Sequence, residues 1–406
     1  MKLFRYFFRN IFLKRWLLVF GMVILLFAAN YLTFSTVRSI ISTYQGYQEM
    51  TVLDDQNAFV ANLDPDSNPD FDSIRIEDTQ KIYQYLDQNF DYVLHSDGFV
   101  VPLKNKQDME VQFNYINEAA YQLRDFPLSK GKPLHFEKPG KQDHLPVLIG
   151  PGLAESYPLG SAIQTTDPVT NKPVTLRVQG ILEKNMYRSS FYAPNSKHYY
   201  NFAVFIPVDS AFIQNAGLDL HVNALMDLVL LDSSEKKMNQ LRTLIQQNTG
   251  MTFNFYTQQD NYAFFKEYYS SSLMLMSLLS VALLFLVLLL SIWNSFVSVR
   301  LMMKDITIHL LVGLSYATLR KIFYRYFAIL FFVNLVVLMS SVAYSRHLFW
   351  TTKESAFVTY GFLGLIDIDW VALAAVLVID IIIGTIIVEL TMKKIKQIPI
   401  SIGVLE

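Results

Sequence analysis

Four long apolar runs constrain this 406-residue chain more than any other feature. The second run, at residues 268–295, contains SSLMLMSLLSVALLFLVLLLSIWN and no charged residue. A helix of about 20 apolar residues crosses a ~30 Å hydrocarbon core. The other runs, at 16–38, 322–345 and 370–390, are of similar length. We therefore expect an α-helical membrane protein with four transmembrane helices.

The first apolar run has a competing interpretation as a signal peptide, because basic residues precede it. Its apolar stretch is long, however, and no small-residue cleavage site follows the Ala-Ala-Asn stretch at 28–30. We therefore predict an uncleaved span.

The distribution of Lys and Arg predicts the orientation of the spans. Basic residues concentrate in the tail 1–15, the link 296–321 and the tail 391–406. An even number of spans places all three on one side, which the positive-inside rule identifies as the cytoplasm. We expect a cell-membrane protein with both termini cytoplasmic, a large outer segment at 39–267 and a short outer loop at 346–369.

The outer segment predicts an extracytoplasmic α+β domain. Strand-like runs alternate with amphipathic helical runs in two places, and two such halves could form one small α+β layer near the membrane. The predicted strands are 92–94, 110–115, 224–231 and 252–256, and the predicted helices are 78–89 and 235–248. Between the halves, residues 145–210 are rich in strand formers and punctuated by Gly and Pro, which predicts a β-rich subdomain.

Composition limits the classes of function. The chain has no cysteine, which excludes disulfides, thiolate metal sites and cysteine nucleophiles. An outward-facing domain without disulfides favours a bacterial, Gram-positive source. The net charge of -1 gives no reason to expect a nucleic-acid partner.

No motif for catalysis or cofactor binding stands out. The seven histidines are scattered, and neither a nucleophile elbow nor a phosphate-binding loop is present. Alternating acidic residues at 64–72 are typical of a calcium loop, but Pro69 stands where glycine is needed and Arg75 where the closing Glu belongs. We therefore expect no metal site, no bound cofactor and no catalytic residue in this chain.

The link between the second and third runs, VRLMMKDITIHLLVGLSYATLRKIF, carries charges such as Arg300 and Asp305 that cannot lie in hydrocarbon. Its apolar residues recur at helical spacing until Gly313 and Ser315 break the pattern. The sequence thus predicts a short amphipathic helix on the aqueous side. A segment tied to two membrane helices is suited to transmitting force.

This link resembles the signature of FtsX/MacB-type ABC transporter permeases, an arginine followed by E-I-x-I-L-x-x-L-G-x-S. The matching positions are Arg300, Asp305, Ile306, Ile308, His309, Val312, Gly313 and Ser315, with Asp in place of the usual Glu. The outer segments LPVLIGPGLAESYPLGSAIQ and VTLRVQGILEKN resemble the MacB-like periplasmic core. The chain departs from the family at Tyr326, where many members carry Glu, in the third span, which is not glycine-rich, and in the divergent stretch 187–201.

The resemblance implies a permease subunit that couples ATP hydrolysis by a separate ABC ATPase to movements of its outer domain. It also implies a second permease chain, identical or not, and ATP and magnesium that are bound only by the partner ATPase. It leaves open whether an adaptor protein takes part. By the same analogy the ATPase-coupling residues are Arg300, Asp305, Ile306, His309, Gly313 and Ser315. The β-rich subdomain would meet substrate or an accessory protein, with export of, or resistance to, an antimicrobial, bacteriocin or signalling peptide as the task.

Two other functions use the same parts. A mechanotransmission regulator would activate an external cell-wall hydrolase or a sensor kinase without moving cargo. A membrane receptor would work without an ATPase and would need only the outer domain.

Two polar residues lie near the middle of predicted spans. Asp380 interrupts the fourth span, where a carboxylate costs several kcal/mol unless it is neutralised, paired or hydrated. Asn334 lies at a similar depth in the third span. We predict a hydrogen bond between Asn334 and a protonated Asp380 that holds the two helices together, with a polar lining or a titrating switch as the alternative.

Overall fold

The computed structural model describes residues 4, 6, 16–136, 144–189 and 196–397. The chain divides into two compact units. The first, the helical unit, comprises Met1–Ile41, Tyr269–Ser345 and Asp367–Glu406, and the second, the α+β unit, comprises Ser42–Tyr268 and Arg346–Ile366.

The elements are numbered in chain order. The helices are α1 (Trp16–Met50), α2 (Ile76–Asn89), α3 (Glu118–Leu123), α4 (Ser210–Gln214), α5 (Leu218–Met226), α6 (Glu235–Thr249), α7 (Gln258–Leu301), α8 (Met303–Leu311), α9 (Tyr316–Thr351) and α10 (Asp367–Lys396). The strands are β1 (Phe59–Leu63), β2 (Asp91–Val93), β3 (His95–Val101), β4 (Val111–Ile116), β5 (Leu128–Gly131), β6 (Leu145–Ile149), β7 (Ala162–Thr166), β8 (Pro173–Leu182), β9 (Tyr187–Ser189), β10 (Lys197–Tyr199), β11 (Ala203–Pro207), β12 (Val229–Leu231) and β13 (Phe253–Thr257). Short 3-10 turns lie at Thr51–Gln56, Phe71–Ser73, Ser355–Phe357 and Phe362–Gly364.

The helical unit contains four helices that are long and apolar enough to cross a membrane, in α1, α7, α9 and α10. Their most apolar windows have mean hydropathies of 2.2, 3.0, 2.2 and 2.9. Their inward faces meet in one core that includes Leu26, Val287, Phe323 and Ile387. Between 11% and 44% of each window is buried inside the protein, so most of the apolar surface faces outward, as it does in a membrane protein.

The long helices extend beyond the predicted spans. The span predicted at 16–38 belongs to a helix that ends at Met50, and the span predicted at 268–295 belongs to one that begins at Gln258. The apolar pattern reports which turns avoid water. It does not report where the backbone stops being helical, because polar residues continue a helix equally well.

The first sheet of the α+β unit has the strand order β13-β1-β12-β2, with every neighbouring pair antiparallel. Helix α2 connects β1 to β2, and α6 connects β12 to β13, so each βαβ unit straddles a strand of the other, as in ferredoxin-like folds. The two predicted halves thus share one layer. The strand predicted at 224–231 is wrong in its first part, because residues 224–226 end α5, whose buried face includes Leu220, Ala224 and Leu225.

The second sheet is inserted between β2 and β12 and has the order β3-β4-β11-β6-β8-β5, with β7 paired to β8. It therefore starts at His95, well before the β-rich subdomain predicted at 145–210. Strand β4, predicted as part of the small α+β layer, pairs instead with β3 and β11. Strand formers alone do not tell which of two sheets a strand joins, because that depends on its partners.

The segment between α9 and α10 is not a separate loop. Arg346–Ile366 belongs to the α+β unit, and Val358 is fully buried in the same core as Phe202. Trp350 and Tyr360 place their ring centroids 5.7 and 6.4 Å from that of Phe202. The predicted short loop at 346–369 is thus largely part of the α+β unit, which its length alone did not indicate.

Candidate functional site

The link between α7 and α9 contains a tight turn, which is formed by the end of α8 and the start of α9. Gly313 has a φ of 105° and open space where a Cβ would stand. The Leu314 N–H donates to the His309 carbonyl (2.9 Å) and the Gly313 N–H to the Leu310 carbonyl (3.1 Å), the two bonds of a Schellman motif. The glycine of the sequence motif therefore ends α8.

Ser315 begins the next helix. Its Oγ accepts a hydrogen bond from the Thr318 N–H (3.2 Å) and lies 2.9 Å from the Thr318 hydroxyl. Such a side chain satisfies an amide that has no partner within the first turn. The spacing Gly313-x-Ser315 thus reverses the chain in three residues between two helices.

Helix α8 has one buried face and one exposed apolar edge. Ile306 and Thr307 are buried, and Ile306 belongs to the core of the helical unit. Ile308, Leu311 and Val312 are 45%, 61% and 83% exposed. Apolar residues that are exposed together at a helix end are more typical of an interaction surface than of a link that contacts only water. We call Ile308, Leu311 and Val312 the apolar edge.

The predicted coupling residues therefore divide by position. Arg300 and Asp305 flank the start of α8, and Arg300 is exposed. The Nδ1 of His309 donates to the Asp305 carbonyl (2.7 Å), and its ring centroid lies 5.4 Å from that of Tyr6. Ile306 anchors α8 inward and presents no surface to a partner.

A second polar site lies inside the helical unit and joins three helices. Asn30 of α1 donates through Nδ2 to Asn334 Oδ1 on α9 (3.1 Å) and to Asp380 Oδ2 on α10 (3.0 Å). Each of these side chains is 1% exposed. The predicted tie between Asn334 and Asp380 thus runs through a third residue, Asn30, which sequence reasoning missed. An amide or carboxyl side chain near the middle of each of three apolar runs was the available signal.

Helix α1 makes further polar contacts with its neighbours. The Thr33 and Ser280 hydroxyls lie 2.7 Å apart and join α1 to α7. Arg38 Nε donates to Asp369 Oδ1 (2.8 Å), which pairs α1 with α10 at a carboxylate that is fully buried. Helix α1 is therefore tied by side-chain hydrogen bonds to each of the other three long helices.

A cleft of about 2280 Å³ lies within the α+β unit. Both sheets contribute to its wall, with Tyr92 and Leu231 from the first and Arg177 from the second. Its described charged residues are five carboxylates and two bases. They are Asp87, Asp91, Glu118, Asp209, Asp232, Lys132 and Arg177. The cleft can hold a peptide-sized ligand and favours one of positive charge.

A buried basic cluster lies beside β3. Arg188 NH1 donates to His95 Nδ1 (2.5 Å), so Nε2 of His95 carries the ring proton and donates to Asn114 Oδ1 (3.1 Å). Arg188 also pairs with Asp227 (3.2 Å). Burial, followed by the charge of Arg188, holds the pKa of His95 well below its ordinary value. His95 is therefore neutral.

Within the described parts of the divergent stretch 187–201, β9 and β10 pair antiparallel, and we call this strand pair, with the flanking Asn185 and Asn201, the hairpin. The Ser189 amide and hydroxyl donate to the Glu49 carboxylate near the end of α1 (3.0 and 3.2 Å). At its base, Asn185 exchanges two hydrogen bonds with the Tyr360 backbone (2.6 and 2.7 Å), and Asn201 donates to the Val358 carbonyl (2.9 Å). The hairpin thus contacts both segments by which the α+β unit connects to α1 and to α10.

The acidic segment predicted to lack calcium makes protein contacts. Asp64 accepts from the Asp66 amide (2.9 Å) and from Asn254 Nδ2 (3.1 Å). Within residues 16–136, 144–189 and 196–397, no group of three or more His, Asp or Glu side chains is arranged to hold a metal ion.

No protein-family model matches this chain, and no curated protein matches it significantly. Among solved structures, it is similar to the extracellular domain of the noncanonic ABC-type transporter YknZ from Gram-positive bacteria. The two are 13% identical, and the match covers 49% of this chain and 100% of that one with a TM-score of 0.28. A similarity this low carries no argument about function.

Proposed function

We propose that this chain is the permease subunit of an ABC transporter, working with a separate ABC ATPase that binds α8. The observation that carries the proposal is the α8 turn, where a short helix between two long apolar helices is anchored by Ile306 and leaves Ile308, Leu311 and Val312 exposed. An exposed apolar edge on a rigidly tied helix fits a groove in a soluble partner.

The turn is suited to transmitting movement. The Schellman bonds after His309 and the capping of α9 by Ser315 leave little freedom between α8 and α9. Only Met302 separates α8 from α7, and the Ile306 amide bonds to its carbonyl (2.9 Å). A push on α8 therefore reaches two apolar helices rather than being absorbed by a loose link.

The orientation follows from the basic residues that flank the apolar helices. With the termini and α8 in the cytoplasm, the α+β unit lies outside the cell membrane. The cleft with an excess of carboxylates then faces the outer medium and suits a cationic peptide, such as an antimicrobial or bacteriocin. A second permease chain would complete the transporter.

Site-specific crosslinking tests the partner. The chain has no cysteine, so Val312→Cys introduces a single attachment point for a photoreactive maleimide at the most exposed position of the apolar edge. We expect the probe to capture an ABC ATPase in native membranes, identified by mass spectrometry. The matched control is Ile306→Cys on the same helix. Ile306 is 3% exposed, so a probe at this position should capture no ATPase.

Two results contradict the proposal. If well-expressed Val312→Cys protein captures no ATPase, the proposed ATPase contact loses its basis. Equal capture from Ile306→Cys would show that labelling does not follow the exposed edge of α8.

A further inference from the structure

The cluster of Asn30, Asn334 and Asp380 leaves two buried oxygens without a donor. Asp380 Oδ2 accepts from Asn30, but Asp380 Oδ1 and Asn30 Oδ1 have no hydrogen-bond partner among the described residues. Asn334 uses its own Nδ2 to bond the Val23 carbonyl of α1 (3.3 Å). The cluster therefore holds more hydrogen-bond acceptors than donors, and it lacks a hydrogen that could be donated to the unpaired oxygens.

Among the described residues of the four long helices, none of those near the depth of Asp380 is a cation. About two turns to either side of the cluster, these helices contain no charged residue other than Asp380 itself. The stretches are 23–37, 273–293, 327–341 and 373–387. The only other titratable side chain in them is Tyr31, which is 48% exposed.

The nearest charges on α10 already have partners. Asp369, which pairs with Arg38, lies eleven residues before Asp380, roughly 16 Å along a helix. Glu389 lies nine residues after Asp380, roughly 13 Å away, and binds Arg320 and Tyr324 (both 3.0 Å). Neither pair neutralises the carboxylate at the cluster.

A carboxylate that is buried among apolar residues without a cation is strongly disfavoured relative to its neutral acid. We propose that the Asn30–Asn334–Asp380 cluster is a proton-binding site, with Asp380 as the group that carries the proton. The site is independent of the ATPase partner proposed above.

The two amides allow the cluster to accept and to release the proton. With Asp380 ionised, the Asn30 amide donates to its carboxylate, as in the observed arrangement. With Asp380 protonated on Oδ2, a half-turn of the Asn30 amide presents its oxygen to the new O–H. A half-turn of the Asn334 amide then lets Asn334 donate to that oxygen, in exchange for its bond to the Val23 carbonyl. Each protonation state therefore has a hydrogen-bonded arrangement, which an apolar neighbour would not provide.

Infrared spectroscopy of the full chain in lipid nanodiscs tests the site directly. We expect a protonated carboxylic acid C=O band at neutral pH that shifts when aspartate is carboxyl-¹³C-labelled. Asp380→Asn should abolish this band. Asp369→Asn is the matched control, because Asp369 is as deeply buried on the same helix but pairs with Arg38, and the band should persist there.

A second variant covers the case in which Asp380→Asn does not fold. Asn30→Val removes the hydrogen-bond partner while leaving Asp380 in place, and the labelled band should change frequency. Three results would overturn the proposal: no aspartic acid band in the wild type, a band that persists in folded Asp380→Asn, or a band that Asn30→Val leaves unmoved. Loss of the band on adding Na⁺ at constant pH would identify a monovalent cation as the occupant instead.

Discussion

At the scale of single residues, burial decides which polar groups keep a charge. His95 is buried beside Arg188 and Asn114, and its two ring nitrogens are satisfied in the neutral form, one as acceptor and one as donor. A protonated ring would lose the acceptor that Arg188 uses and would place two cations together. His95 is thus a structural residue whose protonation opposes folding.

The first prediction concerns the pH dependence of stability. An unfolded chain binds a proton at His95 with a pKa near 6.5, whereas the folded chain binds it only at much lower pH. The stability that neutral His95 provides is therefore complete above pH 6.5 and is lost as pH falls below it, at up to about 1.4 kcal/mol per pH unit. We expect the free energy of unfolding of His95→Gln to fall less steeply with decreasing pH, although the variant is less stable at neutral pH.

Trp350 emission can report this unfolding, because its ring packs against Phe202 and Tyr360 within the α+β unit. The other tryptophans are replaced by Phe for the measurement. His221, whose pKa is also lowered by burial, supplies part of the remaining slope. His135→Gln, at an exposed position, is the control. An unchanged slope in His95→Gln would show that His95 does not resist protonation.

At the scale of elements, short polar connections decide what the longer elements can do. The turn at Gly313 and Ser315 fixes α8 between two apolar helices. The hairpin of β9 and β10 holds the segment between α9 and α10, chiefly through Asn185. Asn185 mimics a strand partner, since it both donates to and accepts from the backbone of Tyr360.

The second prediction tests this attachment. Asn185 has a φ of 60°, so Asn185→Gly removes both hydrogen bonds without backbone strain. We expect residues 352–366 to exchange amide hydrogens at least several-fold faster, because each lost bond contributes about 1 kcal/mol. Hydrogen–deuterium exchange with mass spectrometry measures this exchange rate. Asn171→Gly, at a φ of 54°, is the matched control. Equal exchange in the two variants would mean that Asn185 does not hold the segment.

At the scale of the whole molecule, the chain enters the α+β unit twice. Ser42–Tyr268 and Arg346–Ile366 share a core, so the segment after α1 and the segment after α9 lie together. If the four apolar helices span a membrane, both segments are on the same side of it. The α8 turn and the basic residues after α10 are then on the other.

The third prediction is this topology. Single cysteines replace the exposed residues Lys236 and Glu354 in the α+β unit and Lys394 near the end of α10. In intact cells, a membrane-impermeant maleimide should label Lys236→Cys and Glu354→Cys but should label Lys394→Cys only after permeabilisation. Labelling of all three, or of Lys394→Cys alone, would reject the orientation.

Much of this protein could be predicted from sequence because its signals are local. Apolar runs identify α1, α7, α9 and α10, since any such run must avoid water whatever surrounds it. Gly313 and Ser315 predicted the end of α8, because a left-handed residue and a helix cap are needed wherever a chain turns that sharply. Alternation and amphipathic spacing predicted the unit of β12, α6 and β13, and they predicted α2 and β2 of the other unit but not its first strand, β1.

Only the tertiary structure decided which parts meet. Asn30 lies 304 residues from Asn334 and 350 from Asp380, and no local pattern marks it as their link. The same holds for β4, which joined the other sheet, and for Val358, which entered the core of the α+β unit. Periodicity reports how one segment divides between water and apolar surroundings. Hydrogen-bond partners and sheet order depend on segments far apart in the chain, so they appear only when the whole chain is folded.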